Sequence, residues 1–107
     1  MATFFATLVY ELDPKTDPDA RKLLRAEMVG RRWQDKIDGR PLPATALFMR
    51  RAAPAEDTTD DVHRACGLDL QSAVDSVRKM GVSIELRRAW VQVTGAGTYG
   101  LVTVARQ

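Results

Sequence analysis

Cysteine, histidine and long apolar runs are almost missing from this chain of 107 residues. A single cysteine, Cys66, rules out an intramolecular disulfide and any zinc site built on cysteines, and it fits a reducing compartment such as the cytoplasm. With no partnered base in sight, Cys66 reads as a small apolar helix residue rather than a nucleophile. The one histidine, His63, stands beside Arg64 and reads as surface decoration, with a proton shuttle as the alternative. No apolar stretch approaches the roughly 20 residues that a membrane helix needs, so no membrane partner is expected. The opening Met1-Ala2-Thr3-Phe4-Phe5 lacks the basic stretch and apolar core of a signal peptide. Neither charge sign dominates: the net charge is +2, so bulk electrostatics do not demand a nucleic-acid partner. The glycine-rich Gly95-Ala96-Gly97-Thr98-Tyr99-Gly100 lacks the Gly-Lys-Ser/Thr ending of a phosphate loop and leads toward a strand, which excludes that motif.

What is present describes one domain spanning residues 1–107, long enough to bury a core without disulfides or metal. Hydrophobic residues make up 45% and charged residues 28%, close to the globular average. The basic set is unusual. Of 16 basic residues 12 are arginines, six of them in the adjacent pairs Arg31-Arg32, Arg50-Arg51 and Arg87-Arg88. Arginine's planar fork matches phosphate and carboxylate as lysine cannot. An arginine-rich genome would also produce the bias.

Residues 3–12 are rich in β-branched and aromatic types and predict a strand, with Phe4, Ala6, Leu8, Tyr10 and Leu12 on its core face. Asp17 as N-cap and Pro18 at the first helical position start a helix with Ala20, Leu23, Leu24 and Met28 on one stripe, and Gly30 is its expected stop. Segments 31–37 and 44–51 predict the two strands of a hairpin. Between them lies Asp38-Gly39-Arg40-Pro41-Leu42-Pro43, where two prolines argue against regular pairing. After a linker at 52–57, a second helix is capped by Thr58 or Thr59 and striped by Val62, Cys66, Leu70, Ala73, Val77 and Met80. Gly67 admits a break in it and Gly81 closes it. Residues 82–94 predict a long strand whose apolar phase changes at Arg87-Arg88, the mark of a β-bulge. Residues 99–105 predict a last short strand.

The order β-α-β-β-α-β plus a C-terminal strand is the α+β, ferredoxin-like pattern, with two helices on one face of an antiparallel sheet. The other face would display Phe5, Thr7, Val9 and alternate residues of 44–51. So apolar a surface predicts a homodimer.

This topology brings Arg31 and Arg32 to the end of the sheet where Arg50 and Arg51 lie. Juxtaposed like charges call for an anion or an acidic neighbour, and phosphate is one candidate, with Trp33 and Phe48 near enough in sequence to offer stacking surfaces. Solvated arginines splayed around a sheet rim are the alternative. Glu11, Asp13, Asp35 and Asp38 collect at the opposite end, where carboxylates can hold Mg²⁺ or act as general bases; strand ends and turns also favour aspartate for structural reasons.

Two sets of residues resemble known families. Leu8-Val9-Tyr10-Glu11-Leu12, a helix, Gly30 and Arg31-Arg32-Trp33-Gln34 resemble the small CRISPR-associated adaptation nucleases. In those an apolar strand ends Tyr-Asp, and an Arg/Val-Gln stretch opens a hairpin after the first helix. The loop at 38–43 and Thr98-Tyr99-Gly100-Leu101 are similar to GhoS-type antitoxin endoribonucleases, which share the ferredoxin-like dimeric fold. The resemblance spans most of the chain through short motifs. It implies a homodimer whose last strand pairs onto the partner's sheet, an RNA or DNA backbone as ligand, and endoribonuclease activity that is weak or lost. Glu11 and Asp13 then become the expected catalytic acids, although Glu11 stands where the adaptation nucleases carry aspartate, and segment 52–67 fits neither family. A non-enzymatic dimeric regulatory or assembly module is the competing expectation, because ferredoxin-like dimers host many functions.

Overall fold

The computed structural model describes residues 2–95. Strand β1 (Ala2–Leu12) is central, flanked by β4 (Ala46–Ala53) and β5 (Leu86–Gly95), both antiparallel to it. The alternation read in β1 is the one observed: Phe4, Ala6, Leu8, Tyr10 and Leu12 are all buried. They form one core with Ala20, Leu24 and Met28 of helix α1 (Pro18–Gly30) and with the Val62, Cys66, Leu70 and Val77 stripe of helix α2 (Thr59–Lys79). The fold is thus a mixed α+β one with two helices and a small antiparallel sheet. Among the described residues no helix is long and apolar enough to cross a membrane.

Helix α1 starts as expected, the Asp17 carboxylate accepting from the Asp19 N–H at 2.9 Å with Pro18 at the first position. Its end differs from expectation. Gly30 is still helical, Arg31 is the C-cap, and Arg32 takes the left-handed conformation with φ of 72°. The Arg32 N–H reaches Val29 O and the Trp33 N–H reaches Met28 O, at 3.0 and 3.1 Å. This is the paired bonding of a Schellman stop, normally built on glycine. The left-handed turn aims Trp33 back into the core.

The predicted strand 31–37 is therefore mostly absent. Only Gln34 pairs with the outer edge of β4, exchanging two backbone bonds with Phe48. The expected hairpin is replaced by a smaller one, β2 (Lys36–Ile37) against β3 (Arg40–Pro41), whose second strand lies inside the segment 38–43 expected not to pair. Positive φ at both Asp38 and Gly39 gives the two-residue turn that favours Asp-Gly. Arg25 fastens this region to α1, its guanidinium donating to the carbonyls of Asp35, Leu42, Pro43, Ala44 and Ala46.

Helix α2 runs through Gly67 without a break. Thr58 and Asp61 close a capping box at its start, and Gly81 ends it with φ of 80°. Only the later part of segment 82–94 is strand. Residues before it are held by the loop ahead of α1, through Asp13 N–H to Glu85 O and Asp17 N–H to Ser83 O. The bulge falls where the sequence placed it: Glu11 faces Arg88 while Leu12 faces Leu86, leaving Arg87 as the extra residue. That insertion keeps Leu86, Val91 and Val93 together against the core. The predicted strand 99–105 lies outside the described residues.

Candidate nucleic-acid interface

Short as it is, the pairing at Gln34 decides where the charge gathers. Because Gln34 leaves the edge of β4 after one bridge, no strand covers Met49–Ala52 among the described residues. Phe48 turns its N–H and C=O outward to Gln34, so antiparallel alternation turns those of Arg50 and Ala52 outward too. Around this open edge lies a groove of about 460 Å³ lined by Arg31, Arg32, Arg50 and Arg51, with Met49, Ala52 and Asp69. The four arginines singled out in the sequence thus meet, although Arg31 and Arg32 arrive from a helix stop and not from a paired strand.

Two of the four are already engaged. Arg31 donates to Glu27 at 2.6 Å and to the hydroxyls of Ser72 and Ser76 at 3.1 and 3.2 Å, clamping α1 to α2. Arg51 reaches the Asp69 carboxylate at 3.5 Å. The side chains of Arg32 and Arg50 are exposed and make no hydrogen bond or ion pair among the described residues. Both therefore present unneutralised guanidinium forks at the groove.

Trp33 is not the stacking surface expected of it. It is buried at 1% exposure, and its indole N–H donates to Asp69 at 3.1 Å. Phe48 is covered as well, its ring stacked on Phe5 with centroids 5.9 Å apart.

The expected catalytic acids sit elsewhere and apart. Arg88 donates to Glu11 in a short bond, and Arg87 lies 3.7 Å from its other oxygen. The Arg88 hydrogen bond first, then the charges of Arg88 and Arg87, hold the Glu11 carboxyl below the usual range. So stabilised an anion is a weak general base. Asp13 accepts from the Lys15 N–H at 2.8 Å and its carbonyl from the Thr16 N–H, a turn that ends the strand. Asp35 pairs with Arg25 at 3.8 Å. Among the described residues no three of His, Cys, Asp or Glu gather where they could hold a metal ion, so Glu11, Asp13, Asp35 and Asp38 do not form the expected cluster.

The sheet face away from the helices is less apolar than the sequence suggested, because Phe5 and Phe48 cover one another. On this face Arg50 pairs with Phe5 and Phe5 with Thr94; Thr7 pairs with Gln92, and Val9 with Trp90. Its exposed large apolar side chains are Val9 and Trp90, at 40% and 55% exposure. A hollow of about 390 Å³ lies beside Trp90, bordered by Val9, Glu11 and Arg88. Trp90 went unread in the sequence. The signal was there: it occupies the polar phase of its strand, between Arg88 and Gln92, where an indole serves no core.

The chain matches no family model, no curated protein and no solved structure among those compared.

Proposed function

We propose that this chain is a single-stranded RNA-binding domain of ferredoxin-like plan, with the arginine groove taking backbone phosphate. The convergence of Arg31, Arg32, Arg50 and Arg51 on one groove, with Asp69 as the lining carboxylate, carries this reading. Guanidinium forks without a protein partner suit phosphate oxygens, and outward backbone N–H groups on the β4 edge add neutral donors. The ferredoxin-like order is supported by the Gln34 bridge, which extends the sheet to Gln34, β4, β1 and β5, with the second strand cut to one pairing. Binding without fast cleavage is the form that the geometry favours, since Glu11 is committed to two arginines and no carboxylate cluster among the described residues offers itself to Mg²⁺. A homodimeric assembly module is the second reading, and the exposure of Val9 and Trp90 is what favours it.

The test is a titration of labelled single-stranded RNA across salt. Four phosphate contacts give log affinity against log salt a slope of about −2.8, and two give about −1.4. The informative variant is the Arg32→Ala, Arg50→Ala double change, because these side chains hold nothing else in place, whereas removing Arg31 would loosen the helix pair. It should lose about half the salt slope and keep its fold. Salt-independent binding, or none, would count against the groove. RNA cleavage abolished by Glu11→Gln or Asp13→Asn would restore the nuclease reading.

A further inference from the structure

We infer that the open sheet face beside the groove is a platform for unpaired nucleobases, with Trp90 as its main stacking surface. The inference rests on the groove holding phosphate and adds what the bases do.

Arg50 links the two regions. It lines the groove, yet by strand alternation it projects on the same face as Thr7, Val9 and Trp90. From Arg50 to Trp90 is four residues along the strands and two strand gaps across, about 13 Å by about 10 Å, or about 16 Å on the diagonal. One nucleotide cannot bridge that distance; a short oligonucleotide can. An RNA chain with its phosphates at the groove can therefore lay successive bases across β1 toward β5.

The chemistry of the face fits bases better than a second copy of the chain. Trp90 offers an exposed indole plane, and every base has a π-face to lay on it. Thr7, Gln92 and Thr94 supply uncharged hydrogen-bonding groups between the aromatics. The one carboxylate named on this face, Glu11, is held by Arg87 and Arg88, so no free negative charge meets the incoming strand. A homodimer interface is apolar at its centre, whereas here the centre is Thr7, set between Gln92 and a Phe48 that is buried under Phe5.

Two probes of equal length separate this inference from the groove reading: an oligouridine RNA and its abasic counterpart, which keeps the phosphates and loses the bases. Oligouridine should bind several-fold more tightly than the abasic strand. Trp90→Ala should weaken oligouridine by about fivefold or more while leaving abasic binding unchanged, and Trp90→Phe should retain most of the affinity. At 55% exposure the Trp90 side chain can be removed without opening the core, which far-ultraviolet dichroism and the emission of buried Trp33 would check. Equal binding of both strands would overturn the platform and leave the groove standing. Binding of neither would overturn both. A stable dimer that Trp90→Ala converts to monomer would assign the face to a second copy and overturn the platform.

Discussion

Replacing Arg32 by glycine should stabilise the protein and weaken its RNA binding at the same time. Arg32 sits at φ of 72°, in the left-handed region. Holding an L-residue with a Cβ there costs about 1–2 kcal/mol. Glycine escapes that strain but loses more chain freedom on folding, by about 0.5–1 kcal/mol. The difference spans about 0–1.5 kcal/mol, a net gain centred on about 0.75 kcal/mol. Nothing offsets it, because the Arg32 side chain is exposed and makes no hydrogen bond or ion pair among the described residues. The two backbone bonds of the helix stop, to Val29 and Met28, are kept. For a domain of this size the gain should raise the melting temperature by about 2–8 °C and shift the urea midpoint upward with its slope unchanged.

The same change removes one groove cation, so the salt slope for single-stranded RNA should become less negative by about 0.7. Arg32→Ala is the control, since it removes the cation and keeps the strain: affinity should fall by the same amount with no rise in stability. A less stable glycine variant would refute the left-handed assignment, and unchanged RNA affinity in both variants would refute Arg32 as a phosphate contact.

Asp69→Leu should cost about 1–3 kcal/mol in urea unfolding, because it strands the buried indole N–H of Trp33. Asp69→Asn keeps an acceptor for that N–H and releases Arg51, so it should stay near wild-type stability and bind RNA more tightly. Thr58→Ala should cost about 1 kcal/mol through the lost helix cap. The Thr58 backbone N–H, then its hydroxyl, hold the Asp61 carboxyl below its ordinary range. Asp61 therefore contributes stability that is present above the unfolded pKa of about 3.9 and lost as pH falls through the lower folded value, and Asp61→Asn should flatten that acid limb of a pH–stability curve. Burial pushes the Cys66 thiol up to about 11, so iodoacetamide at pH 8 should spare the native protein and label it promptly in urea.

Features governed by neighbours in sequence were legible, and those governed by distant partners were not. The alternation of β1, both helix starts and the bulge at Arg87 each depend on a few consecutive residues and the period they set. The α1 stop was misplaced because Gly30 carries the usual signal, while the actual left-handed residue, Arg32, is fixed by its neighbour Trp33. Trp33 must turn into the core to reach Asp69, 36 residues on, and no local pattern announces that bond. The prolines misled for a related reason: Pro41 pairs with Lys36 in a two-residue edge ladder, and the neighbouring Leu42 N–H supplies a bond to Asp35 O. At the site, the meeting of four arginines was foreseeable from topology alone. Which of them are free was not, since Ser72, Ser76 and Asp69 all come from α2.

The groove exists because the second strand fails. A full strand at 31–37 would have continued the Gln34–Phe48 register along β4, set position 32 opposite Arg50 and sealed the outward groups of Arg50; the left-handed turn at Arg32 prevents this, and Gln34 makes only one bridge. An exposed edge of this kind needs protection against pairing with another chain, and charged side chains give it. Protection alone does not explain the arrangement. With Arg31, Arg50 and Arg51 in place, glycine at position 32 would leave the edge charged and relieve the backbone. An arginine at the strained position, beside three other guanidiniums and two outward N–H groups, is what the proposed phosphate site would use. Strain that serves binding requires opposite signs in Arg32→Gly, greater stability and weaker RNA binding, and strain without that role does not.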